Sequence, residues 1–133
     1  MEQQSRLRKV SCTDVNSHCD ELESQGFQLF SIEKPADAAD FFLQVKAKYP
    51  LDPEISGKVH WDAFADSLWG GLDARSEPKL ALVIQDASEF SHASPRDYEI
   101  ALSCMSDAAK EVEAEKRKEG HENAMIVLVV GVG

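Results

Sequence analysis

Two short runs without a polar residue constrain this chain more than anything else in it: Leu80-Ala81-Leu82-Val83-Ile84 and Met125-Ile126-Val127-Leu128-Val129-Val130. Successive side chains of a strand point to opposite faces, so strands built from these runs need apolar cover on both sides. Parallel sheets meet that need, because their crossover connections lay helices on the faces. Phe27-Gln28-Leu29-Phe30-Ser31-Ile32 has the length and aromatic content of an earlier strand. The segments between the strands carry helical periodicity, which predicts the order strand, helix, short helix, strand, helix, strand. The expected fold is α/β, a three-stranded parallel sheet packed by helices.

The helices follow from spacing and punctuation. Pro35 suits a first helical turn, and Asp37 and Asp40 suit its positive end. Ala38, Phe41, Phe42, Val45 and Tyr49 then form a stripe that should pack on the sheet. Pro50 and Pro53 stop that helix and open a loop over residues 51–58. Gly70-Gly71 should end the next helix, and residues 86–93 read as a polar connection holding Phe90 and His92. Ser94-Pro95-Arg96-Asp97 opens a long helix, with Ser as cap and Pro in the first position. Its inward stripe is Tyr98, Ala101, Leu102, Met105, Ala109 and Val112, and Lys116, Arg117 and Lys118 sit at its negative end before Gly120. Residues 1–26 are expected to be an N-terminal extension, a short strand and a helix near 14–24, packing on a domain of residues 27–133.

The short helix His60-Trp61-Asp62-Ala63-Phe64-Ala65-Asp66-Ser67-Leu68-Trp69 has two distinct sides. At about 100° per residue, Trp61, Phe64, Ala65, Leu68 and Leu72 face a core, while Asp62, Asp66 and Trp69 share an adjacent side. Two carboxylates at i and i+4 repel by about a few tenths of a kcal/mol, and an exposed Trp is a favoured interface anchor. The pair Asp107 and Glu111 repeats the spacing on the long helix. Such a stripe suits a basic protein partner; it is also what a solvated face with its Trp turned inward would show.

Charge and chemistry narrow the class. With 14 basic and 24 acidic residues the formal charge is −10, which argues against direct nucleic-acid binding. Cys12, Cys19 and Cys104 lack the spacing of a disulfide framework and fit a reducing compartment. No signal-peptide pattern follows Arg6, Arg8 and Lys9, and the apolar run of residues 124–130 is too short to span a bilayer. A cytoplasmic protein without membrane contact is expected. No phosphate-binding glycine loop or nucleophile elbow is present; Cys104 sits among apolar and acidic neighbours that discourage a thiolate, and Cys12, His18 and Cys19 lack a second ligand pair of zinc spacing. Neither an enzyme nor a cofactor is expected, the competing reading being an aspartate pair holding a metal.

Pro53-Glu54-Ile55-Ser56-Gly57 followed by Trp61-Asp62-Ala63-Phe64-Ala65-Asp66-Ser67-Leu68 resembles the binding segment of the barstar family. Members read roughly proline, two tyrosines and glycine, then Asn-Leu-Asp-Ala-Leu-Trp-Asp. The order of elements from about residue 27 to 130 agrees with it. The resemblance implies a barstar-like fold and an inhibitor, an immunity or antitoxin protein, that blocks the active site of a basic cognate ribonuclease. Asp62 and Asp66 match the family's two helix aspartates, the second of which takes the place of substrate phosphate, and Asp107 or Glu111 matches a carboxylate on the long helix. The expected partner-binding set is Ile55, Gly57, His60, Asp62, Asp66, Trp69, Asp107 and Glu111, with Trp69 as aromatic anchor and His60 as a peripheral contact. Ile55 and Ser56 stand where the family has its tyrosines, and Ala65 where it has a tryptophan. The alternative is an acidic interaction domain with a non-nuclease partner.

Overall fold

The two polar-free runs form the two central strands of a parallel sheet. The computed structural model describes residues 6–55 and 60–133. Its strands are β1 (Leu7–Ser11), β2 (Gln28–Ile32), β3 (Lys79–Ile84) and β4 (Met125–Val132), in the order β1-β4-β3-β2. All neighbours are parallel, and the register aligns Leu7, Leu128, Leu82 and Phe30 across the sheet. The three strands read from the sequence are present, and β1 adds a fourth beside β4. As an edge strand, β1 tolerates Arg8 and Lys9, which blunt an exposed edge.

Alternation along β3 and β4 divides the core in two. Leu80, Leu82, Ile84, Ile126, Leu128 and Val130 face helices α2 (Ala38–Lys48), α3 (Trp61–Ala74), α4 (Ser88–Ala93) and α5 (Pro95–Lys118). Ala81, Val83, Val127 and Val129 face the other way, where Val15, Cys19 and Leu22 of α1 (Val15–Ser24) cover them together with Phe27. Among the described residues α1 is the only helix on that side. The N-terminal segment thus supplies both an edge strand and the cover for one face.

Several local expectations are corrected. The α2 stripe is buried as expected, but the helix begins at Ala38, after Pro35. Its cap is Asp37, whose carboxylate accepts from Asp40 N–H, while Asp40 accepts in return from Ala36 N–H. Residues 86–93 are not simply a connection: they contain α4, which buries Phe90. Pro95 does open α5, but the Ser94 side chain makes no capping bond. On α3, Ser67 is buried and Ala65 only half-buried, the reverse of the expected polarity. Nor does Gly70-Gly71 end that helix, which runs on to Ala74. A Cβ at Gly70 would sit 2.1 Å from the Asp52 carbonyl oxygen and one at Gly71 1.8 Å from that of Pro50. The pair serves close backbone approach, not termination.

Candidate functional site

Helix α3 is held at both ends against α5. At its start, Trp61 Nε1 donates to Asp97 Oδ1 at 3.3 Å. The Trp61 ring packs into the core, its centroid 4.8 Å from that of Phe42 and 5.9 Å from that of Phe64. At its end, the buried Lys116 of α5 donates from Nζ to the Arg75 carbonyl oxygen at 2.6 Å. A third restraint comes from the loop after α2: Asp52 N–H donates to the Ser67 carbonyl oxygen at 2.9 Å, and the Ser67 hydroxyl donates to that of Pro53. That bond is why a serine is buried on this helix. The two glycines give the loop room to approach.

Between α3 and α5 lies a groove of about 800 Å³. Asp62, Asp66 and Trp69 line it from α3, and Glu99, Asp107 and Glu111 from α5; Ala65, Ile100, Cys104 and Ala108 form its apolar floor. No Lys, Arg or His is among the described residues that line it. Nor does any of the five carboxylates form a salt bridge within the described residues. The floor registers the resulting field. Burial, and then the Asp107 and Asp62 carboxylates, push the Cys104 thiol above its ordinary value, which keeps it protonated near neutrality and unreactive.

Five of the expected site residues, Asp62, Asp66, Trp69, Asp107 and Glu111, therefore line one groove. Trp61 and Trp69 are both half-buried and pack against the same core, and Trp69 also lines the groove. Ile55 and His60 are not in it. They line a second depression across α3, with Glu54, Phe42 and Ser67, and Asp66 borders both. Gly57 lies outside the described residues. Glu99 was missed by the sequence reading, although stepping back from Glu111 and Asp107 by fours reaches Ser103 and Glu99 on the same face. Because α3 continues through Gly70-Gly71, the exposed Asp73 also falls in phase with Asp62 and Asp66.

Among the described residues no group of three or more His, Cys, Asp or Glu is disposed to hold a metal ion, and no helix is long and apolar enough to cross a membrane. Cys12, Cys19 and Cys104 are free thiols. No curated protein and no solved structure matches the chain. A family model described as barstar (barnase inhibitor) matches residues 27–123, a span that holds α2, α3, β3, α5 and both walls of the groove. The chain belongs to the barstar family.

Proposed function

We propose that this protein inhibits a barnase-type ribonuclease by presenting the acidic walls of the α3–α5 groove to the enzyme's active site. The observation that carries this reading is the convergence on one groove of a half-buried Trp69 and five carboxylates that form no salt bridge among the described residues, with no basic side chain among the described lining residues. A site that binds phosphate through Arg, Lys and His also accepts carboxylates, through short charge-assisted hydrogen bonds. Asp66 stands in for a substrate phosphate, Asp62 and Asp107 flank it, and Glu99 and Glu111 extend the acidic surface along α5. Trp69 supplies apolar contact area in the wall. Inhibition is by occlusion and needs no cofactor or chemistry of the inhibitor's own. The reading is of a protein that acts in the reducing cytoplasm, where its three thiols stay free.

The test is a titration of barnase activity on RNA. The wild type should silence the enzyme, and Asp66→Ala should weaken inhibition by about thirtyfold, which corresponds to one charged hydrogen-bonding partner at about 2 kcal/mol. Asp107→Ala should weaken it in the same direction. Unchanged inhibition by a folded Asp66→Ala/Asp107→Ala variant would sink the groove reading. A wild type that leaves the ribonuclease active would sink the inhibitor reading itself.

A further inference from the structure

Helix α2 turns an apolar side chain to water at the middle of its outer face. Phe41, Phe42 and Val45 face the core, while Leu43 points away from it with 63 % of its surface exposed. No other large hydrophobic side chain among the described residues is so open; the next, Met125, is 37 % exposed. Ala39 and Ala47, one turn before and one turn after Leu43, are exposed on the same side. Charge divides about the same point. Asp37 and Asp40 stand at the start of the helix, and Lys46 and Lys48 at its end. None of the four forms a salt bridge within the described residues. Each aspartate uses one oxygen within the helix start, Oδ1 of Asp37 and Oδ2 of Asp40, and keeps its charge to offer. Turned end over end about Leu43, this face sets apolar on apolar and acid on base.

We propose that the face pairs with the same face of a second copy, the two α2 helices running antiparallel about Leu43. Leu43 of one copy then lies beside Leu43 of the other, and Ala39 falls level with Ala47. Alanine carries nothing beyond Cβ, which allows the close end, about 8 Å, of interhelical distances. Asp40, three residues before the centre, falls level with Lys46, three residues after it. A parallel arrangement would instead set acid beside acid and base beside base. The occupant follows from the symmetry, because a face complementary to itself forms an isologous contact that closes with two copies. The pairing is weak. Helix α2 has 11 residues and is about 16 Å long, and one such pair buries less than the roughly 1,200 Å² of a stable interface. A formal charge of −10 on each chain adds repulsion. None of these residues lines the α3–α5 groove, so the proposal stands apart from the inhibitor reading.

Sedimentation equilibrium of the whole chain tests the pairing, in about 0.15 M salt, where charge acts over about 8 Å. The weight-average mass of the wild type should rise from that of one chain toward that of two between about 10 μM and about 1 mM, the range of weak association. Leu43→Glu should keep the mass of one chain throughout. It should also unfold near the wild-type temperature, because position 43 already faces water. Lys46→Glu, which brings acid level with acid, should weaken association in the same direction. Oxidative trapping reads the register. Leu43→Cys should form disulfide dimers about tenfold faster than the three native thiols of the wild type, since pairing raises the local thiol concentration. A mixture of Ala39→Cys and Ala47→Cys should join the two different positions faster than either variant joins to itself. A wild type that remains a single chain at about 1 mM, which would leave the face to a different protein, overturns the proposal. So does association that Leu43→Glu retains, and so does trapping that joins like positions preferentially, the signature of a parallel pair.

Discussion

Tyr49 shows how much a single position can hide from a pattern. Its spacing marks it as the last member of the α2 stripe, and it is indeed buried. Yet it lies one residue past the helix with extended backbone, and its hydroxyl donates to the Val83 carbonyl oxygen at 2.9 Å. Burial pushes the phenol well above its ordinary value. Because the folded state holds the proton more tightly than the unfolded chain, this contribution is complete below about pH 10, the value for an unperturbed tyrosine, and is lost as pH rises beyond it. Tyr49→Phe should cost about 1 kcal/mol near neutrality through the lost hydrogen bond, and should lose less stability than wild type on going further alkaline. Denaturant titrations on either side of that pH check both statements; parallel alkaline losses in the two proteins would assign the titration elsewhere. At the same scale, the phase of Asp62, Asp66 and Trp69 was legible because helical geometry alone sets it. Burial does not divide Trp61 from Trp69, since both are half-buried and pack against the same core; they differ in that Trp61 meets the Phe42 and Phe64 rings while Trp69 lines the groove.

At the scale of elements, the sequence spoke clearly where a periodicity is long and weakly where it is short. The stripes of α2 and α5 are buried as spaced, and β3 beyond Lys79 and β4 declare themselves by their unbroken apolar runs. Helix α4 is too short, at six residues, to show a period, and β1 is half-exposed and partly basic. Gly70-Gly71 is the instructive failure. A glycine that ends a helix and one that admits a neighbouring backbone are written identically in sequence, and only conformation separates them. Gly26 and Gly120 have φ of 93° and 104°, the left-handed geometry that favours glycine, and each follows a helix. Gly70 and Gly71 lie within α3. The distinction fixes the sign of a mutation. In an ordinary helical position Gly→Ala stabilises by about 1 kcal/mol. At Gly71 the new Cβ meets the Pro50 carbonyl, a backbone atom that no rotamer change can move aside, so Gly71→Ala should destabilise by about 1–3 kcal/mol. Thermal unfolding decides between them, and a raised Tm would return the glycine to a plain helical role.

For the whole molecule the question is where the formal charge of −10 resides. No local pattern reveals that the acidic faces of α3 and α5 adjoin, because residues 62–69 and 99–111 are brought together only by the crossover that sets β4 beside β3. The opposite side of the sheet is also acidic, with Asp20 and Glu21 exposed on α1. Net charge and local field therefore make different predictions for binding. If the total charge draws in a basic ribonuclease, removing two negative charges anywhere should reduce salt sensitivity equally. If the groove field does so, position matters, since screening acts over about 10 Å at 0.1 M salt and α1 is separated from the groove by the sheet and its helices. Association with barnase should slow as sodium chloride is raised, and Asp107→Asn/Glu111→Gln should flatten that dependence well below wild type. Asp20→Asn/Glu21→Gln, which removes the same charge from the far face, should leave the slope near the wild-type value. Stopped-flow association rates across a salt series measure all three proteins directly. Equal flattening by the two double variants would mean that the acidity of this chain acts as bulk charge, and that the groove contributes shape and short-range contacts without steering.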